Sequence, residues 1–273
     1  MQANSRETHG LGLYSSRIIK AGAAIGDTLA LLHSWDQSMD VDANLVRIRN
    51  ANVLSKTTRS RLEDVLSILR QRYLGDPTII RVLTIWLNAA GDGAPLRRLL
   101  YLYSAISDYL LRDVVLDVLL PLQSSGQRIV LVSDLLVPLR RWVAEGRMVS
   151  SWNDATLRRV VEGMLATLRD FGLLEGVVHK RFAPFTLPIP AAAYIAFLLY
   201  KRLGSGLKVV EDWTWRLFFL DPQGAERLLL RAHQAGLLQY EAAGSLIRLE
   251  FPTDDLEVYA RVAAKGAASP SGV

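Results

Sequence analysis

The sequence predicts a mostly α protein: an N-terminal helical bundle, then units that join a helix pair to a short β-hairpin. Three observations predict it. Over residues 14–122 apolar residues recur at helical spacing between short connections. Over 128–182 the order becomes strand, helix, loop, long helix, strand. Over 224–251 the ending of that unit returns, since a helix followed by Gly236-Leu237-Leu238 and a hairpin echoes the helix followed by Gly172-Leu173-Leu174.

Each element has its own signal. Ile18, Ile19, Ala23, Leu29, Leu32 and Trp35 predict a first helix over 14–35, weakened by Gly22 and Gly26. A short helix over 43–50 carries Arg47 and Arg49. Ser55, Thr57 and Thr58 are candidate caps for the next helix, whose stripe is Leu62, Val65, Leu66, Leu69 and Tyr73. Asp76-Pro77 opens another, and 95–109 and 110–122 read as two more apolar helices. The polar, turn-forming stretch 123–127 is the best boundary, giving an N-terminal domain over 1–123 and a C-terminal one over 124–265.

The β-branched run 128–132 predicts a strand, and Asp134 a cap for a helix reaching Glu145. Asn153 or Asp154 starts the long helix of Val160, Met164, Leu165, Leu168 and Phe171, which stops at Gly172. Val177 to Phe182 is a basic strand. Strand, helix, helix and hairpin in this order make the unit winged-helix-like. The apolar run 191–202 is a core helix, 204–206 a turn, and Trp213, Trp215, Leu217, Phe218 and Phe219 an aromatic cluster that could stack on bases but reads first as core. A last helix covers 256–264, and 266–273 reads as a disordered tail.

Composition narrows the class. A chain of 273 residues, half of them hydrophobic, builds one large core or two ordinary ones. The absence of Cys excludes disulfides and thiolate metal sites and is compatible with a reducing cytoplasmic setting. The N-terminal MQANSRETHG has no signal-peptide core. The longest apolar run, 191–200, is about half the roughly 20 residues of a spanning helix, so no membrane insertion is expected.

No catalytic constellation, metal set or cofactor motif is visible. His9, His33, His179 and His233 are scattered, no phosphate loop or dinucleotide fingerprint follows a strand, and Gly10-Leu11-Gly12 reads as a turn. The expectation is a non-enzyme without cofactor. The basic residues carry more. Arg47, Arg49, Lys56, Arg59 and Arg61 fall in one short span opposed nearby only by Glu63 and Asp64, with Arg70 and Arg72 beyond. Cations at a helix start oppose its dipole, which a bound phosphate would reverse; the plainer alternative is a solvated, internally paired face. Arg158 and Arg159 lie on the long helix, and Lys180 and Arg181 where a wing would be. Arginine forks onto phosphate and guanine edges, so the grouping predicts phosphate-dominated binding of double-stranded DNA, with much of the contact around Lys56 and Arg61.

Five blocks, SSRIIKAGAAIGDTLALLHSWD, NVLSKTTRSRLEDVLSILRQRYLGDP, LLRDVV, WNDATLRRVVEGMLATLRDFGLLEG and DWTWRLFFLDPQGAERLLLRAHQAGLLQYEAAGSLIRLEFP, resemble the BrxA family of bacteriophage exclusion (BREX) defence systems, in the family's order from about residue 14 to 259. The resemblance implies a small non-enzymatic component, mostly helical, DNA-binding and winged-helix-like, working with other BREX proteins that would carry out methylation and restriction. It carries over no contact residue. The alternatives are an interaction scaffold, served by apolar surface on helices such as 191–202, and a transcriptional regulator.

Overall fold

The computed structural model describes residues 13–244 and 246–268; the segment with His9 and Gly10-Leu11-Gly12, and residues 269–273 of the expected tail, lie outside the described residues. Helices dominate, with two small antiparallel sheets. The single helix expected over 14–35 is two, α1 (Ile18–Ala21) and α2 (Ile25–Ser34), separated at Gly22 and by Ala24 in the left-handed region at φ 50°. The break lets α1 pack on helices from both halves while α2 packs elsewhere. Next come α3 (Val41–Asn50) and α4 (Arg59–Leu69). Of the three candidate caps, Thr58 accepts a bond from Arg61 N at 3.2 Å, and Leu62, Val65, Leu66, Leu69 and Tyr73 are all buried. A π turn, Arg70–Leu74, leads to α5 (Pro77–Ala90), capped by Asp76 on Thr78 N at 2.8 Å. Then follow α6 (Ala94–Ser107), α7 (Tyr109–Val114), a second π turn and α8 (Leu120–Ser124).

The middle unit has β1 (Ile129–Val130), α9 (Val132–Ala144), α10 (Asp154–Asp170), β2 (Leu174–Glu175) and β3 (Lys180–Phe182). The sheet order is β1-β3-β2, with Ile129 opposite Arg181 and Leu174 opposite Phe182. Asp134 does not cap α9 from outside. It lies inside the first turn, and its carboxylate reaches back to Leu131 N at 2.8 Å. Gly172 follows α10 at φ 80°, a turn that a side chain would strain.

The last part holds α11 (Ile189–Leu203), α12 (Gly206–Glu211), a 3-10 turn (Trp213–Phe218), α13 (Pro222–Gln234), the hairpin β4 (Gln239–Ala243) with β5 (Leu246–Glu250), and α14 (Leu256–Ala268). Residues 191–197 and Leu199 of α11 are buried, so the apolar surface considered for a scaffold lies in the core. The aromatic run is core too: Trp215, Leu217 and Phe218 are buried, and Tyr101 of α6 meets Phe171 and Phe218 at 5.5 Å. The end of the chain returns to its first half, where α14 packs along α5 and Arg81 pairs with Glu257 at 2.6 Å. Among the described residues no helix is long and apolar enough to cross a membrane.

One close approach fixes the C-terminal hairpin. Residue 206, read from sequence as a turn, begins α12, and a Cβ there would stand 2.4 Å from the Ile247 carbonyl oxygen. Gly206→Ala must push β5 off α12. The expected cost is about 1–3 kcal/mol, the usual range for overpacking, and a denaturant titration measures it.

Candidate nucleic-acid interface

The site is built outward from α10. Asn153 caps it, accepting from Thr156 N at 2.8 Å. Its apolar stripe, Leu157, Val160, Val161, Met164, Leu165 and Leu168, is buried against neighbours that include α9. The same periodicity turns Arg158, Arg159 and Glu162 to solvent. Neither arginine has an ion-pair partner among the described residues. Arg140 does, meeting Asp154 at 3.2 Å, and Arg141 lies 3.6 Å from Glu145.

The larger cation cluster at α3 and α4 is differently placed. Arg49 forks onto Glu63 at 2.6 and 3.1 Å. That bond raises the arginine pKa and lowers the glutamate's. Lys56 meets Asp27 at 2.6 Å, Lys20 meets Asp64 at 2.6 Å, and Arg70 meets Asp42 at 3.1 Å. Arg47 is half-buried and donates to the Ser34 carbonyl and to Asn44 Oδ1. Arg72 is buried, donating to Ala23 O at 3.2 Å. Arg61 is exposed but donates to the Lys20 carbonyl, a contact that leaves its charge unneutralised. Arg59 is exposed without an ion pair among the described residues. It borders a hollow of about 350 Å3 at the start of α4, lined also by Arg49, Lys56, Thr57 and Thr58.

The hairpin between β2 and β3 is less cationic than its sequence. Lys180 is 8% exposed and its ammonium donates to the Val177 carbonyl beneath the turn. Arg181 is exposed and pairs with its cross-strand neighbour Glu175 at 2.6 Å. The tip is Val177 and Val178, 79% and 82% exposed.

Helix α1 joins the two basic regions. It packs on both α4 and α10, and a Cβ at Gly163 of α10 would lie 3.6 Å from the Ile18 carbonyl oxygen. Arg17 and Lys20, exposed at its two ends, thus stand between the cations of α4 and those of α10. Sequence reading missed both, although two basic residues three apart around an apolar pair were a usable signal. It also missed Arg227 and Arg231, exposed on α13. Among the described residues no group of three His, Asp or Glu side chains could hold a metal ion.

A model of the family described as BrxA matches residues 12–198. No curated protein matches the chain. The match ends inside α11. The last of the five sequence blocks, residues 212–252, therefore lies beyond it.

Proposed function

The chain belongs to the BrxA family and is a component of BREX phage defence, and from that premise we propose that it binds double-stranded DNA, largely through phosphates and without catalysis, alongside other proteins of the system. The observation that carries the proposal is α10. It is the second helix of a strand-helix-helix-hairpin unit, the order of a winged helix, and its second turn presents Arg158 and Arg159 without acidic partners among the described residues. In such units the N-terminal part of the second helix meets the duplex. On this reading Arg59 and Arg61 add phosphate contacts from α4. Arg49 and Lys56 contribute less, because Glu63 and Asp27 already neutralise them. Lys180 holds its own turn, and the setting is the cytoplasm, where the duplex is.

Salt titration of a duplex tests this. Each phosphate neutralised contributes about −0.9 to the slope of log affinity on log salt. Four such contacts, from Arg59, Arg61, Arg158 and Arg159, give an expected slope near −3.6 by the same rule. Absence of binding at low salt, or affinity indifferent to salt, sinks the proposal. A second reading, a protein scaffold, is favoured by the exposed apolar side chains Ile129, Leu131, Val177 and Val178 around the three-stranded sheet. It predicts the first of those two outcomes.

A further inference from the structure

Helix α13 carries a face that the duplex reading of α10 does not use and that lies beyond the residues the family model matches. Its exposed positions Gln223, Arg227, Leu230, Arg231 and Gln234 recur at helical spacing along one side. None is acidic. Glu226, the acid on this helix, is half-buried and accepts a bond from Tyr240 OH at 3.2 Å. Arg227 and Arg231 stand one turn apart with no acidic partner among the described residues. Like charges so spaced destabilise a helix by a few tenths of a kcal/mol, which an anionic partner reverses. The α10 face differs, since it also exposes Asp154 and Glu162, one turn before and one turn after Arg158, although Asp154 pairs with Arg140.

The chemistry of these side chains is that of base edges. Arginine bonds guanine O6 and N7 in pairs, glutamine does the same to adenine N6 and N7, and an apolar side chain meets the thymine methyl. From 223 to 234 a helix rises about 16 Å, enough to run along a major groove about 12 Å wide. The face is also held in place. Tyr240 of β4 joins it in a hollow of about 460 Å3 lined by Gln223, Glu226, Arg227 and Leu230, and the hairpin is seated on α12 by the close contact at Gly206.

We propose that α13 enters the major groove and reads sequence, so that the chain binds duplex DNA selectively, with α10 and α4 supplying phosphate affinity. This rests on the duplex reading above. The test enriches duplexes from a random library on the full chain, then compares the enriched duplex with a scrambled one at fixed salt. Arg227→Lys with Arg231→Lys keeps the charge and loses the fork. That variant is expected to retain the scrambled-duplex affinity and the salt slope while its preference for the enriched sequence falls roughly 10- to 100-fold. Arg158→Glu with Arg159→Glu is expected to weaken both duplexes alike. If no sequence is enriched although duplex binds, or if the lysine variant keeps the full preference, this inference is overturned and the duplex reading stands. If no duplex is retained at low salt, both fall.

Discussion

Reversing Arg158 and Arg159 to Glu lowers duplex affinity by roughly 100-fold or more at about 0.1 M salt on the reading proposed above. The size follows from what is removed. A hydrogen bond to a charged group contributes about 1.5–3 kcal/mol, two are lost, and two carboxylates then face the phosphates. The salt slope should shrink by about 1.8, twice the contribution of one phosphate. Both side chains are exposed and without ion pairs among the described residues, so far-UV circular dichroism and the melting temperature should hold. The α4 cations divide. Arg59→Ala with Arg61→Ala should cost about 1 kcal/mol or more per lost contact. Lys56→Ala should cost the duplex little, because Lys56 is matched to Asp27 at 2.6 Å. Filter binding across a salt series measures all three. Lys56→Ala removes one positive charge and the Arg158, Arg159 double variant reverses two, so a Lys56→Ala loss about a quarter as large in free energy would mean that total charge, not this face, governs binding. An unchanged affinity in the double variant would favour the scaffold, whose apolar tip at Val177 and Val178 is untouched.

The sequence reveals what is local. The stripe of α4, the Thr58, Asp76 and Asn153 caps and the order of β1, α9, α10 and the hairpin all depend on residues close together in the chain, where periodicity and capping chemistry operate. The break between α1 and α2 does not. Nothing within 14–35 says that α1 must lie on α4 and α10 while α2 packs on α5. Helix α12 is too short for a period, and its Gly206 reads as a turn until Ile247 is known to press against it. The candidate site suffers most. A window around residues 47–72 contains Glu63 and Asp64, yet Asp27 and Asp42, from outside it, also pair with its cations. Opposite charge brought in by tertiary packing is invisible to a local count, and so the weight of the duplex proposal lies on α10, the shorter of the two basic groups. The apolar run of α11 illustrates the same limit, since its composition suits a docking surface or a core and only packing decides between them.

Asp113→Ala should destabilise the fold by about 3–5 kcal/mol, the range for removing one partner from a buried ionic group. Asp113 of α7 is buried and accepts three bonds: from Tyr14 OH at 2.6 Å, from Arg112 Nε at 2.8 Å and from Arg147 Nη2 at 3.2 Å. Arg147 also donates to Tyr14 OH and lies over the Tyr14 and Trp142 rings at 4.6 and 4.9 Å. Burial, then the bond to Asp113, raise the Tyr14 pKa far above its ordinary value, so the phenol keeps its proton and serves as donor. The backbone joins the same parts, with Tyr14 N on Arg147 O at 2.8 Å and Val149 N on Tyr14 O at 2.9 Å. One carboxylate thus ties the N-terminal segment to the loop that delivers α10. Its loss removes the buried carboxylate that Tyr14, Arg112 and Arg147 share and leaves Arg147 the longer contact to Glu145 at 3.8 Å, which is why truncation costs more than the net contribution of the cluster. Thermal melting should show a fall of roughly 10 °C for a chain of this size. Tyr14→Phe keeps the ring and the ion pairs and removes one hydroxyl bonded to a carboxylate, so about 1.5–3 kcal/mol is expected. If Asp113→Ala melts no lower than Tyr14→Phe, the cluster is not what positions the loop. If it melts lower and also weakens duplex binding by a factor beyond its unfolded fraction, the cluster sets the placement of α10 as well as the stability of the chain.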